Sequence, residues 1–262
     1  MWTYHGHSLW FLIGMLVLSG CFTIPEDNFP SSYSDGFEDY QNLQELLDRK
    51  EGWTGMNITD VANSIEIDST FARTGQRSLR FSARGTTLNA PLSKCSLFNQ
   101  AIEFEEGETV EITCWYYVEG EPWENGWVFI LDLEERVPIG AQPGTRLALM
   151  QEPGQPIINE FKYAQASITQ LGTPPTSFPL NTWVEIRWLV HLSPKQEGSI
   201  SVWQNQELII QAENIQTLPK DQIYAIQGTR GVYNSVEVGI TANADKGEKV
   251  LYLDDFLIRK LN

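Results

Sequence analysis

The chain has 262 residues, with 34 acidic against 18 basic side chains and a formal charge of −16, a field that repels nucleic acid and anionic membrane alike. Three cysteines rule out a disulfide scaffold, and three histidines, two of them at His5 and His7, rule out a multi-histidine metal centre. Redox, zinc and nucleotide chemistry are left without a basis, and the length suits one large all-β domain or two small ones.

Residues 8–18 form a single apolar run, too short for a membrane-spanning helix, which needs about 20 residues, and of the size of a signal-peptide core. Leu18-Ser19-Gly20-Cys21 follows it directly and resembles a bacterial lipobox. That resemblance implies lipidation of Cys21 and loss of residues 1–20, although the stretch before the apolar run has neither Lys nor Arg; an ordinary cleaved signal peptide with a free Cys21 is the alternative. Phe22 and Thr23 follow, with no Asp of the kind that holds such lipoproteins in the inner membrane, so the expected location is the outer membrane, with the lipid as the only membrane contact. Residues 21–34, rich in Pro, Ser and charge, read as a tether, and residues 35–262 as the folded domain.

Tyr40 to Lys50 carries Leu43, Leu46 and Leu47 at helical spacing. Beyond it, Gly, Pro, Asn and Asp break the chain into short strands: Ser64–Ile67, Arg77–Arg84, Glu111–Val118, Val128–Leu133, Arg146–Met150, Phe161–Gln165, Thr182–His191, Ser199–Gln204, Leu208–Ala212, Ser235–Ala242 and Val250–Arg259. With no boundary among them, they predict an all-β fold, one antiparallel β-sandwich. Period two assigns Val184, Ile186, Trp188, Val190 and Leu192 to the core, with Ile112, Cys114, Tyr116, Val118, Leu79, Phe81 and Ala83. An oxidising compartment would allow Cys95 and Cys114 to pair; two separate thiols are the alternative.

Three stretches, Gly36-Phe37-Glu38-Asp39, Ala72 to Phe81 and Leu251 to Ile258, look like the first and last strands of extracellular jelly-roll carbohydrate modules. Asn181 to Glu185 with Ser199 to Glu207 is similar to the paired strands of concanavalin A-like domains. The heparin-lyase-I-like polysaccharide lyases share that layout. The resemblance, over nearly all of residues 35–262, implies a concanavalin A-like jelly roll, a fold that serves lectins, binding modules, lyases and hydrolases.

Hydrolysis is disfavoured: laminarinase-type glycosidases carry Glu-x-Asp-x-Glu along one strand, and here Ile130 stands in the nucleophile's place before Asp132 and Glu134. A lyase needs a base for the proton α to a uronate carboxyl group, a cation to offset developing charge and an acid for the leaving oxygen. His191, Tyr117 and Arg187 are the candidates, on condition that they converge in one groove. The leading expectation is instead a lipid-anchored module that binds polysaccharide without cleaving it. Aromatic faces would stack on sugar rings and polar groups would meet hydroxyls, through Trp115, Tyr117, Asp132, Glu134, Arg146, Lys162, Glu185 and Trp203. A non-catalytic envelope lipoprotein is the third reading. Jelly-roll modules of this kind often hold a structural calcium where the first and last strands meet, which implies Glu38, Asp39, Asp254 and Asp255 as its ligands.

Overall fold

The computed structural model describes residues 30–49, 52–123, 126–137, 142–151, 153–224 and 227–261. The expected signal peptide, Cys21 and the first part of the tether lie outside the described residues. In chain order the elements are β1 (Ser32–Asp35), α1 (Leu43–Arg49), β2 (Trp53–Ile58), β3 (Ser64–Asp68), β4 (Ser78–Ala83), β5 (Ser93–Asn99), β6 (Thr109–Glu119), β7 (Trp127–Glu134), β8 (Gly144–Met150) and β9 (Ile157–Phe161). There follow β10 (Ala166–Ile168), β11 (Trp183–His191), β12 (Gly198–Gln204), β13 (Glu207–Ile215), β14 (Ile223–Tyr224), β15 (Gln227–Gly228), β16 (Ser235–Asn243) and β17 (Lys249–Leu261).

Two antiparallel sheets face each other. The first runs β13-β12-β11-β6-β17-β4-β3, with β1 added along β17; the second runs β10-β9-β8-β7-β16-β5-β2. Strands β14 and β15 form a separate hairpin. The core faces follow the alternation: Val184, Ile186, Trp188, Val190 and Leu192 are all buried, as are Ile112, Cys114, Tyr116, Val118, Leu79, Phe81 and Ala83. At Gly239 of β16 the backbone has φ +105°, and a Cβ there would stand 2.5 Å from the Phe81 ring of the opposite sheet. A glycine is what lets that ring fill the space between the layers.

The sandwich starts earlier than the sequence predicts. Ser32–Asp35, whose first three residues fall in the expected tether, pairs with Phe256–Arg259. The Asp35 carboxylate accepts hydrogen bonds from the Tyr33 and Tyr40 hydroxyls at 2.8 and 3.0 Å and from the Trp53 indole at 3.0 Å. The helix is one turn shorter at its start than expected, β2 and β5 were not anticipated, and β9 lies at Ile157–Phe161 rather than Phe161–Gln165. Cys95 and Cys114 are both buried and free, on strands of different sheets. The Cys95 thiol donates to the Ser64 carbonyl at 2.8 Å, and burial pushes it up to about 12.

Candidate functional site

A bulge in β7 decides which side chains reach the outside of the second sheet. Its pairing with β8 slips between Phe129 and Leu131, so Ile130 and Leu131 are both fully buried, and the Tyr116 hydroxyl of the first sheet donates to the Ile130 carbonyl at 2.8 Å. The slip places Phe129, Asp132 and Glu134 together on the outer face. Ile130, at the nucleophile position of the hydrolase pattern, is in the core. Across the sheet, register sets Glu237 of β16, Asp132, Arg146 of β8 and Glu160 of β9 in one row over four neighbouring strands. Lys162, just after β9, bonds through its own backbone N–H to the Gly144 carbonyl at 2.9 Å, which brings its side chain over the row.

There the Lys162 ammonium lies 2.8 Å from Asp132 and also pairs with Glu134. Thr241 donates to Asp132 at 2.7 Å, and Asn57 and Ser96 donate to Glu237. Arg146 makes a two-nitrogen contact with Glu160, at 3.1 and 2.7 Å, while lying 3.4 Å over the Phe129 ring. Glu134, Arg146, Glu160, Lys162 and Glu237 line a groove of about 530 Å³ with Lys94, Trp127, Arg136, Gln142 and Tyr224, the last on the β14–β15 hairpin. Arg136 and Lys94 make no ion pair with a described residue.

The two carboxyls on β7 titrate in opposite directions. Burial raises Glu134 to about 8, reinforced by its neighbours Asp132 and Glu237 and only partly offset by Lys162. Burial also opposes ionisation of Asp132, but Lys162, a hydrogen bond with Glu134 and Arg146 outweigh it and hold Asp132 below its ordinary value. Burial works against the Lys162 charge too, and is overcome by Asp132 and Glu134, so the amine stays a cation. Asp132, Glu134 and Glu237 are the one trio of potential ligands among the described residues whose oxygens lie within 4.8 Å of one another. Lys162 already occupies the position from which a cation would balance two of them.

The other expected site residues are elsewhere. His191, Arg187 and Tyr117 lie on the outer face of the first sheet, so the condition for a lyase centred on His191 is not met. Register pairs His191 with Thr109 and Trp183 with Tyr117, which separates His191 from Tyr117 by about eight residues of strand, roughly 27 Å. His191 exchanges a hydrogen bond with Thr109 at 3.0 Å, and Arg187 is held by buried Glu111 at 2.6 Å over the Trp203 ring. Glu185 is on the same face, beside Trp115.

Nor are the aromatics there an open platform. The β3–β4 connection, residues 69–77, crosses them as a strap. Phe71 lies 4.7 Å from Tyr117, 5.6 Å from Trp183 and 4.9 Å from Tyr252, and Arg73 sits 3.6 Å over Trp115. The carboxylates expected to share a calcium ion fasten this strap instead. Asp254 accepts the N–H groups of Arg73 and Thr74 at 2.9 and 3.2 Å and of Asp255 at 2.8 Å. Asp255 takes the Thr74 hydroxyl and the Arg73 guanidinium, and Glu38 accepts the N–H groups of Gln76 and Arg77, each at 2.9 Å. Asp39 is exposed beside them. Among the described residues these four carboxylates do not form a cluster of metal-ligand spacing.

Sequence reasoning thus named Asp132, Glu134, Arg146 and Lys162, which the fold brings together, and missed Tyr224, Glu237, Arg136 and Lys94. For Glu237 a signal was present: Ser235, Glu237 and Thr241 alternate with Val236, Val238 and Ile240. Tyr224 stands in a polar stretch with no period, and nothing local marks it.

The model of a family described as polysaccharide lyase matches residues 47–257. Among solved structures, an endo-β-1,4-glucuronan lyase from the fungus Trichoderma reesei superposes with a TM-score of 0.61 at 10% identity, over 80% of this chain and 91% of its own. The cellulose-induced protein Cip1 gives 0.58 at 15% identity, over 86% and 96%. The alginate lyase Aly36B gives 0.58 at 10% identity, over 89% and 98%. At such identities these likenesses establish the jelly-roll sandwich. No curated protein matches the chain.

Proposed function

Because the chain belongs to the polysaccharide lyase family, whose model spans residues 47–257, we propose that it cleaves a uronate-containing polysaccharide by β-elimination in the groove of the second sheet. The family match overturns the leading expectation of a module that binds polysaccharide without cleaving it, and supports the lyase alternative. The observation that carries the proposal is the assembly in one groove of Lys162, Arg146, Arg136 and Lys94 with Glu134 and Tyr224, in a chain whose acids outnumber its bases 34 to 18.

Elimination breaks the C5–H bond α to the uronate carboxyl group, forms the C4–C5 double bond from that electron pair and expels the C4 oxygen, which takes a proton. Arg136, free of an ion pair among the described residues, receives the substrate carboxylate, and the Lys162 ammonium offsets the charge that grows on it. Glu134, at about 8, is the base: a carboxyl poised near the working pH is both available and basic enough. Asp132, held below its ordinary value, is too weak a base and keeps Lys162 in place. The Tyr224 hydroxyl, on the hairpin across the groove, supplies the proton to the leaving oxygen.

The test is ultraviolet absorbance of the unsaturated product on a panel of uronate polymers. Lys162→Ala and Tyr224→Phe are expected to lower kcat/KM by about a hundredfold or more, and His191→Ala to leave it within about twofold. Loss of activity in His191→Ala with retention in Lys162→Ala would move the chemistry to the other face. We further place the enzyme outside the cytoplasm on a lipid carried by Cys21. Metabolic labelling with a fatty acid should mark the native chain and not Cys21→Ser.

A further inference from the structure

The groove follows β7 from Trp127, at the strand's start, to Arg136, just past its end, roughly 30 Å at about 3.3 Å per residue and long enough for several sugar units. Its two ends differ in chemistry. Toward Arg136 the bases Arg136, Arg146 and Lys162 are matched by Asp132, Glu134, Glu160 and Glu237. Toward Trp127 the floor is an apolar shelf: Phe129, Ala148 and Ala242 are buried against one another, with Trp127, Met150 and Ile158 packed on them. The indole of Trp127 meets the Phe129 ring edge-on at 4.4 Å and remains partly exposed. Lys94, on β5 of the same sheet, lines this end, and the Arg146 guanidinium covers the Phe129 ring where the shelf meets the charged row.

Four bases, Lys94, Arg136, Arg146 and Lys162, face the carboxylates of Asp132, Glu160 and Glu237, with Glu134 protonated below about pH 8, so the groove carries only about one net positive charge within a chain at −16. A polymer with a carboxylate on every sugar brings several negative charges into that groove and finds one or two uncompensated cations; it also has to desolvate a carboxylate against the shelf. A polymer whose uronates are spaced by uncharged sugars meets neither cost. Its uronate occupies the Arg136 and Lys162 end, and the apolar face of the uncharged ring lies on Trp127. Resting on the lyase reading above, we infer that the substrate is a polysaccharide of low charge density, in which the uronate that is cleaved is flanked by uncharged sugars, and that Trp127 holds the flanking sugar.

The experiment runs two readouts on the full chain with four polymers. Polyglucuronate and alginate carry a carboxylate on every sugar, whereas hyaluronan and gellan carry uronates separated by uncharged ones. Initial rates of unsaturated product report cleavage, and retardation in native gels cast with each polymer reports binding independently of turnover. The spaced polymers, or one of them, are expected to be preferred by about tenfold or more in retardation and in kcat/KM. Trp127→Ala is expected to raise KM on the preferred polymer by about tenfold with kcat within about twofold, a loss typical of one stacked ring. Equal or stronger retardation by the homopolyuronates, retardation by none, or a Trp127→Ala variant indistinguishable from the parent overturns the inference. Selective retardation without unsaturated product from any polymer would overturn the lyase reading and leave the low-charge preference standing.

Discussion

Lys162 enters the groove with two carboxylates around it, and its removal leaves three buried acids facing one another. Lys162→Ala is therefore expected to cost about 3 kcal/mol of stability as well as activity, read from denaturant midpoints. Glu134 sets the pH dependence. As a base it must lose its proton, so kcat/KM should rise with pH through about 8 and then level, and Glu134→Gln should abolish that limb. For stability the sign is the reverse. A carboxyl raised by folding contributes fully below its unfolded value, and its contribution is lost as pH rises from there through about 8. A profile for the parent that is flat between pH 6 and 9, in both activity and thermal midpoint, would remove Glu134 from both roles. Residue type and alternation point to Asp132, Glu134, Arg146 and Lys162, which the fold gathers beside one groove. They do not separate these from His191, Tyr117 and Arg187 on the other sheet, because period two distinguishes inside from outside and says nothing about which of two outer faces a residue is on.

The strap of residues 69–77 is the element that most changes the reading of the first sheet. Nothing in its sequence, Ser-Thr-Phe-Ala-Arg-Thr-Gly-Gln-Arg, announces that Phe71 and Arg73 will cover Tyr117, Trp183 and Trp115. That covering depends on three carboxylates from both ends of the chain meeting its N–H groups, and such contacts carry no local period. Gly75, with φ +62°, turns the strap so closely past Glu38 that a Cβ would stand 2.3 Å from the carboxylate. Asp254→Ala leaves three N–H groups without an acceptor and is expected to cost about 2 kcal/mol or more. Burial raises Asp254 to about 6 despite those N–H donors, so its contribution to stability falls as pH rises from about 4 through 6. Asp254→Asn, which keeps an acceptor oxygen and cannot titrate, should flatten the thermal midpoint over that range; a parent and variant with parallel curves would exclude the group. The regular strands were legible for the opposite reason. In β11, β6 and β4 each inward position is apolar, whereas β2 and β5, with Gly, Asn, Ser and Lys among their residues, carry no alternation strong enough to read.

At the scale of the molecule, two layers are held at the distance that one ring allows. Gly239→Val puts a branched side chain into the Phe81 ring and into a backbone conformation that it resists. The expected loss is about 3 kcal/mol, measured by chemical denaturation, with far less from Gly228→Ala, where a Cβ meets nothing within 4 Å and the backbone is not in the left-handed region. The position of β17 has a kinetic consequence. Among the described residues it follows every other strand, yet it lies between β6 and β4 and also carries β1. Until Lys249–Leu261 has been synthesised, the first sheet exists as two halves with no strand to join them, and its pairings close loops of more than a hundred residues at the last step. The complete sandwich therefore forms only when Lys249–Leu261 enters between halves that have already paired, and a chain lacking this strand keeps two unpaired sheet edges.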